Sequence, residues 1–231
     1  MMQENKRNKV PHCVGMIIDG NRRYAKALGQ MPWEGHEAGY KKVKESVRWM
    51  RDAGVKNIIA YTFSTENWNR PEVEVTFLMK LLERVLRSEL SWARDDGIRI
   101  KIIGDISKFP PEMQELLKNA EKETAECDKI TLGLALNYGG RAEIVDAVNR
   151  AIELGEEVSE DSFAKLLYTK DFPDPDLIIR TSGEQRLSNF LPWQSVYSEL
   201  FFIPKLFPDI IKEDIDAVFR EYSERDIRRG K

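Results

Sequence analysis

Short apolar runs recur along the chain, at 14–18, 57–63 (NIIAYTF), 98–103 (IRIKII), 130–136 (ITLGLAL), 177–179 and 200–203. Runs this short and this continuous predict strands covered on both faces rather than strands with one wet side. Between them the apolar positions return every three or four residues. The stretch 37–53 places Val43, Val47 and Met50 on one face and stops at Gly54. Pro71 opens a second helix over 71–94, with Val75, Leu78, Leu82, Leu86 and Leu90 in line. Further helices are predicted at 110–125, 141–154, 160–167 and 211–222. Phe77, Met79 and Trp92 in the 71–94 stretch read as core, with an apolar tunnel lining as the sharper alternative. Alternating strands and helices predict an α/β fold with a mostly parallel central sheet and right-handed crossovers. No repeat or linker divides the chain, so residues 1–231 are read as a single domain, with 1–10 expected to be flexible.

Composition narrows the function. The chain has 231 residues, 42% hydrophobic and 32% charged, with a net charge of −3. That balance offers no basic face for general nucleic-acid binding. Two cysteines, Cys13 and Cys127, and two histidines share no ligand spacing, so a Cys/His zinc site is not expected. The start, MMQENKRNKV, has no apolar h-region, and no run approaches the ~18 residues of a membrane span. A cytoplasmic protein is expected, with a lipid substrate and transient membrane contact still open.

In open parallel sheets, ligands sit beyond the carboxyl ends of the strands. Four runs end in polar clusters: Asp19-Gly20-Asn21, Ser64 to Arg70, Asn137 to Arg141, and Arg180 to Glu184. One such end is a turn; four together predict a shared polar cleft. Asp19 alone reads as a helix N-cap. Beside it, however, Gly20 permits close backbone approach, Arg22 and Arg23 can fork onto phosphate oxygens, and a helix starting here offers unpaired N–H groups. A carboxylate for Mg²⁺ next to arginines for phosphate is the division of labour a diphosphate needs. His36, in GHEAG, is read either as a histidine capping a helix start or as a donor to a departing diphosphate. Its flanking Gly35 and Gly39 allow close packing or ligand approach. Ser64 or Asn69 can cap the helix at Pro71, but that role does not account for Trp68 beside Arg70. Glu199, among Tyr197, Leu200, Phe201 and Phe202, requires either a metal or an ion pair, for which Arg180 and Arg186 are the candidates.

The motifs DGNRRYAK, GHEAG, FSTENWNRP, LNYGGR, RTSGEQRLSNFLPWQ and YSELFF occur in this order. In them the chain resembles the cis-prenyltransferases of the undecaprenyl diphosphate synthase family, from about Pro11 to the C-terminus. The resemblance implies sequential cis-condensation of isopentenyl diphosphate onto an allylic diphosphate such as farnesyl or geranylgeranyl diphosphate. The product is a polyprenyl diphosphate, a precursor of a glycosyl carrier lipid. It also implies a parallel sheet with a hydrophobic tunnel, Mg²⁺ as cofactor and a homodimer. By the same resemblance, Asp19 assists Mg²⁺ and diphosphate departure, and Asn67 helps remove the proton. Gly20, Asn21, Arg22 and Arg23, with Tyr24 next to them, hold the allylic diphosphate. His36 and Arg70 add diphosphate contacts, and Ser64, Thr65, Glu66 and Trp68 add substrate contacts. Arg186, Leu187 and Ser188 join Arg180 at the isopentenyl diphosphate, Glu199 is a Mg²⁺ ligand from the far side, and Arg228-Arg229-Gly230 reaches the partner's active site. The chain departs from the family at Arg22, often glycine, at Tyr24, often tryptophan, and at Pro32, often basic. Three rivals fit less well. A non-catalytic partner subunit would be expected to lose Asp19, Arg180 and Arg186. A haloacid-dehalogenase-like phosphatase needs an aspartate where Ile17 stands. A trans-prenyltransferase needs Asp-Asp-x-x-Asp, whereas Asp95-Asp96 is followed by Gly97, Ile98 and Arg99.

Overall fold

The computed structural model describes residues 9–155 and 157–226, so the Arg228-Arg229-Gly230 motif and most of the 1–10 segment lie outside the described residues. Six strands form one sheet: β1 (Cys13–Ile17), β2 (Asn57–Ser64), β3 (Ile98–Ile103), β4 (Ile130–Tyr138), β5 (Leu177–Arg180) and β6 (Glu199–Phe202). Every pairing is parallel, in the order β3-β4-β2-β1-β5-β6. All residues of β1 and β5 are buried, as their uninterrupted apolar runs require. The chain starts in the middle of the sheet, builds β2, β4 and β3 to one side, then returns to add β5 and β6 on the other. The order therefore reverses between β1 and β5, which places a crevice at their carboxyl ends.

Among the described residues, eight α-helices accompany the sheet: α1 (Asn21–Ala27), α2 (Pro32–Ala53), α3 (Glu72–Ser88), α4 (Ser91–Asp95), α5 (Pro111–Glu123), α6 (Gly140–Leu154), α7 (Glu160–Ala164) and α8 (Lys212–Glu224). The main core lies between one sheet face and α2, α3, α4, α5 and α8, through residues such as Met50, Leu86, Leu117 and Phe219. On the other face, Tyr138, Ile178, Phe190 and Leu191 form a smaller cluster, and α6 packs on α7 through Ala147, Phe163 and Leu167.

Three helices differ from the sequence pattern. α2 begins five residues early, because Pro32 is pre-set for the first helical position and the Glu34 carboxylate accepts from the Met31 N–H at 2.9 Å. The 71–94 stretch is two helices. Tyr40 and Lys44 of α2 hold the Glu89 carboxylate at 3.0 and 3.2 Å, and the chain re-aims there so that Leu90 and Ala93 enter the core. The helix at 160–167 stops at Ala164, since Arg150 takes the Leu166 carbonyl and Leu167 turns into the α6–α7 cluster.

α1 lies so close to α2 that only glycine fits between them. A Cβ on Gly35 would sit 2.0 Å from the Asn21 carbonyl oxygen, and one on Gly39 would sit 2.5 Å from Asn21 Oδ1. The GHEAG glycines therefore serve packing, which fixes the Asp19–Arg23 turn against α2. α6 carries a second apolar stripe that nothing among the described residues covers: Val145, Val148 and Ile152 are 60%, 43% and 72% exposed.

Candidate active site

At the crevice, Asp19 follows β1 by two residues and Arg180 closes β5. Their strands are in register at Ile17 and Arg180, so the two side chains meet: Arg180 Nη2 donates to Asp19 Oδ2 at 2.8 Å. Thr181 fixes the backbone beneath them. Its hydroxyl accepts from the Asp19 N–H at 3.0 Å and donates to the Asp19 carbonyl at 2.7 Å. Arg180 is 4% exposed, and its Nη1 also donates to Ser188 Oγ and to the Arg186 carbonyl. Its Nε, equally buried, has no partner among the described residues and remains as a donor for a ligand. Arg23 approaches the other Asp19 oxygen at 3.6 Å and the Ser182 carbonyl at 3.2 Å. Glu184 stands between the two basic loops, 3.5 Å from Arg23 and 2.5 Å from Arg186.

The loops hold this shape at the expense of backbone strain. Asn137, Ser182, Ser188, Asn189 and Leu191 all have φ between 45° and 74°. The left-handed region is sparsely used by residues with a Cβ, and strain of this kind gathers where geometry serves a ligand.

Two polar hollows open from the Asp19–Arg180 pair. One, of about 570 Å³, is lined by Asp19, Gly20, Asn21, Arg22, Arg23, Lys26, His36 and Arg70 among others; Asp19 is its sole carboxylate. The second, of about 540 Å³, is lined by Asp19, Asn21, His36, Ser64, Glu66, Asn67, Arg70, Arg180 and Ser188 among others. An apolar cavity of about 150 Å³ continues inward from Ile18, Asn21 and His36, between α2, α3 and the sheet. Leu78, Met79, Leu82, Val85, Trp92, Leu132 and Leu134 line it, so Met79 and Trp92 face a cavity while Phe77 packs outside against Trp33. Ala135, next to Leu134, points to the opposite sheet face.

His36 does not cap its helix. It is 8% exposed, and its Nε2 lies 3.0 Å from Glu74 Oε1. Burial lowers its pKa below the ordinary value, against the opposing pull of Glu74, so the ring is neutral at pH 7. An ionised Glu74 only accepts, which puts the proton on Nε2. Arg70 donates to the same Oε1 at 3.0 Å, and Arg22 Nε lies 3.7 Å from Oε2.

The 64–70 segment is a 3-10 turn in which Asn67 Oδ1 accepts from the Ser64 N–H at 3.1 Å, so Asn67 is the capping side chain. Glu66 accepts from Asn189 at 2.9 Å. Trp68 donates to Asn137 Oδ1 at 2.8 Å and packs on Phe63 and Phe109, which accounts for it as a strut between loop ends. Leu187 packs on the Tyr138–Phe190 cluster, and Thr65 lies against Gly139. Tyr24, Thr65, Trp68, Arg186, Leu187 and Glu199 line neither polar hollow. Glu199 stands apart. It pairs through Leu177 with Val14, which places it three strand residues, about 10 Å, before Ile17, and two strands, about 10 Å, to the side. Its carboxylate takes Arg225 of the C-terminal segment, in place of the expected Arg180 or Arg186. One chain therefore does not bring Asp19 and Glu199 to a common ion.

Among the described residues, no group of three His, Cys, Asp or Glu side chains could hold a metal. A single carboxylate facing an arginine-lined hollow nevertheless fits Mg²⁺, which is commonly held by one or two carboxylates plus substrate phosphates.

The sequence reading missed Glu143. It is 1% exposed in the first turn of α6, where a glutamate ordinarily faces water and complements the helix dipole. Here Tyr138 and Gln194 donate to its Oε2 at 2.5 and 3.0 Å, and the Thr169 N–H and hydroxyl donate to its Oε1 at 3.3 Å. Burial raises its pKa against these hydrogen bonds. The network joins the end of β4, α6 and the 187–194 segment that carries Ser188. Its only sequence signal is a polar pair, Tyr138 and Glu143, straddling a glycine-marked helix start.

A crevice at a parallel-sheet switch point, lined with arginines and leading into an apolar cavity, defines an enzyme that handles a diphosphate with a hydrocarbon tail. Comparisons with known proteins agree. The sequence model of the family described as "Putative undecaprenyl diphosphate synthase" matches residues 17–230. An isoprenyl transferase of Fusobacterium nucleatum is 46% identical over 222 residues, covering 96% of each chain. The tritrans,polycis-undecaprenyl-diphosphate synthase (geranylgeranyl-diphosphate specific) of Picrophilus torridus is 42% identical, covering 100% of this chain and 94% of its own. The crystal structure of lavandulyl diphosphate synthase from Lavandula x intermedia with dimethylallyl diphosphate has a TM-score of 0.88 and 36% identity, covering 94% and 97% of the two chains. This chain belongs to the undecaprenyl diphosphate synthase family of prenyltransferases.

Replacing Glu143 with leucine takes the acceptor from the buried Tyr138 hydroxyl and Thr169 N–H and leaves the Gln194 amide with the Thr169 hydroxyl alone. The expected loss is about 3 kcal/mol of folding stability, measured by urea denaturation. Wild-type stability in that variant would contradict the network's role.

Proposed function

We propose that the chain adds isopentenyl diphosphate units to an allylic diphosphate starter, farnesyl or geranylgeranyl diphosphate, giving a cis-polyprenyl diphosphate. The observation that supports this best is the 2.8 Å Asp19–Arg180 pair, set between two basic loops at the mouth of an apolar cavity. Arg23, Arg22, Arg70 and Lys26 take the allylic diphosphate, and the apolar cavity takes its tail. Arg180, Ser188 and Arg186 take the isopentenyl diphosphate beside it. Asp19 is the residue that would hold Mg²⁺, which would supply charge neutralisation for the departing diphosphate.

In the reaction, the bond from the allylic C1 to the diphosphate oxygen breaks, the isopentenyl double bond attacks C1, and the proton leaving isopentenyl C2 passes to a diphosphate oxygen. The arginines stabilise the diphosphate as it accumulates charge. The apolar wall keeps water from the allylic cation. His36, neutral and with Nε2–H given to Glu74, orients groups through hydrogen bonding and does not serve as an acid. Asn67, whose carboxamide is not basic, steers the departing proton and does not hold it.

We also propose a homodimer formed through the exposed α6 stripe. A Mg²⁺ that used both Asp19 and Glu199 would require a second copy, given their separation within one chain. Val73, exposed in a shallow hollow with Trp33 and Phe77, and the exposed Leu28 and Met31 between α1 and α2 suit transient contact with lipid during product release. No described helix is long and apolar enough to cross a membrane.

Four outcomes follow. Labelled isopentenyl diphosphate is incorporated into polyprenyl products with Mg²⁺ and an allylic starter, but not with EDTA. Asp19→Ala loses about 100-fold or more in turnover while still binding isopentenyl diphosphate; undiminished turnover in that variant would sink the mechanism. Leu134→Trp, which fills the apolar cavity, shortens the products, and an unchanged product ladder would remove the cavity from the chain's path. Ile152→Asp with Val148→Asp converts the protein to monomers in sedimentation, and a persistent dimer would place the interface elsewhere.

A further inference from the structure

Asn189 follows Ser188 in the loop beyond β5, with a left-handed φ of 66°. Three separate demands meet at this residue. The first is conformational: asparagine is one of the few residues with a side chain that visits this region at small cost. The second comes from α6. Its N-cap is Gly139, which has no side chain to offer, yet the first N–H groups of a helix need acceptors. The Gly140 N–H donates to the Asn189 carbonyl at 2.8 Å, and the Arg141 N–H donates to Asn189 Oδ1 at 2.9 Å. The third comes from the 64–70 turn, where Asn189 Nδ2 donates to Glu66 Oε1 at 2.9 Å. A Cβ on Gly139 would lie 2.9 Å from that Nδ2, so the glycine admits the carboxamide. Glycine at 189 would meet the backbone demand alone, and aspartate could not donate to Glu66. Asparagine is donor and acceptor at once and meets all three.

Glu66 is held as a carboxylate. Desolvation raises its pKa, but hydrogen bonds from Asn189, its own backbone and the Ser64 and Thr65 hydroxyls outweigh this and keep it below the ordinary value. A carboxylate only accepts, which orients the Asn189 amide toward Glu66 and its oxygen toward α6. On the other side of Asn189, Ser188 Oγ accepts from Arg180 Nη1 at 2.7 Å. Arg180, Ser188, Asn189, Glu66 and Asn67 all line the second polar hollow. That hollow therefore has two sides from distant parts of the chain, and the Asn189 carboxamide spans them. The substrate fixes the spacing they must keep. Isopentenyl diphosphate carries its diphosphate on C1 and loses its proton from the adjacent C2. Anchored at Arg180 and Ser188, it presents C2 correctly only if the turn bearing Asn67 is in register with the anchor.

We propose that Asn189 is a positioning residue for the condensation: its carboxamide sets the register between the isopentenyl diphosphate anchor at Arg180 and Ser188 and the 64–70 turn that meets the substrate's reacting end. The start of α6 is the fixed body on which the carboxamide is mounted. The first hollow, which takes the allylic diphosphate, does not include Asn189 in its lining, so binding there is independent of this bridge. This inference rests on the isopentenyl diphosphate reading of the second hollow.

Steady-state kinetics on the full chain, with both diphosphates varied, tests it in Asn189→Asp, Asn189→Gly, Glu66→Gln and Asn189→Asp combined with Glu66→Gln. Urea denaturation establishes that each is folded. Aspartate tolerates the left-handed backbone and caps a helix as well as asparagine, so a residue that only capped α6 would survive Asn189→Asp unharmed. At the bridge, the same change sets two carboxylates face to face. The KM for isopentenyl diphosphate should rise about tenfold or more in Asn189→Asp and in Asn189→Gly, while the allylic KM stays within about twofold. In the double variant the introduced glutamine amide donates to the introduced aspartate, which restores the bridge with reversed polarity. Its isopentenyl diphosphate KM should return to within about threefold of Glu66→Gln alone. A wild-type KM in Asn189→Asp overturns the proposal, as does a double variant no better than Asn189→Asp, or a rise confined to the allylic KM. A lower kcat at unchanged KM, the mark of a smaller folded fraction, overturns it as well. If Asn189→Asp does not fold, Asn189→Gly decides by the same KM criterion. If the wild type incorporates no isopentenyl diphosphate with farnesyl or geranylgeranyl diphosphate, the reading of the hollow itself fails, and the inference with it.

Discussion

The architecture converges on the contact between Asp19 and Arg180 across the sheet's switch point. Because β1 and β5 are parallel neighbours in register at Ile17 and Arg180, the residues beyond their ends emerge side by side. Crossovers on opposite sides of β1 leave no helix or loop to fill the space above them. An arginine 4% exposed must find acceptors, and it finds them in Asp19, Ser188 and the Arg186 carbonyl. That one guanidinium therefore sets the positions of the two loops that carry the other phosphate-binding candidates. A lysine could not do this, because a single ammonium lacks the planar fork that reaches separate acceptors.

Around this pair, buried carboxylates act as internal organisers. Glu143 gathers Tyr138, Gln194 and Thr169 behind the 187–194 segment, while Glu74 gathers His36, Arg70 and Arg22 beside the basic hollow. The two differ in what lies next to them. Glu143 is enclosed by protein, and its acceptors are filled by neutral donors that no ligand competes for. Glu74 shares cationic donors with an open hollow. One network is enclosed by protein, and the other borders an open hollow that its own donors line.

Much of the sheet was legible because parallel strands covered on both faces must be apolar throughout; β3 matches its run at 98–103 residue for residue, and the others differ by one or two positions at their ends. The site's edge was legible for the complementary reason, since polar residues directly after such runs have nowhere to lie but the crevice. What escaped was set by contacts distant in sequence. The break at Glu89 depends on Tyr40 and Lys44, 49 and 45 residues away. Glu74 and Glu143 stand where glutamates usually complement a helix dipole in water, so their burial left no local signal. Glu199 was recognisable as a carboxylate in need of a partner, but that partner, Arg225, comes from the end of the chain.

The position of Glu199 also limits how the chain can be complete on its own. Parallel strands send all their carboxyl ends to one edge of the sheet, and Glu199 opens β6 at the other edge. No rotamer spans about 10 Å along the strands together with about 10 Å across them. If that carboxylate contributes to the reaction, it does so at another copy's crevice. The α6 stripe of Val145, Val148 and Ile152 gives such a copy an apolar surface on which to rest. The cleft formed by Asp19, Arg180, Arg23 and Arg70 needs no partner to assemble, so association would add to a site already shaped by the sheet rather than create one.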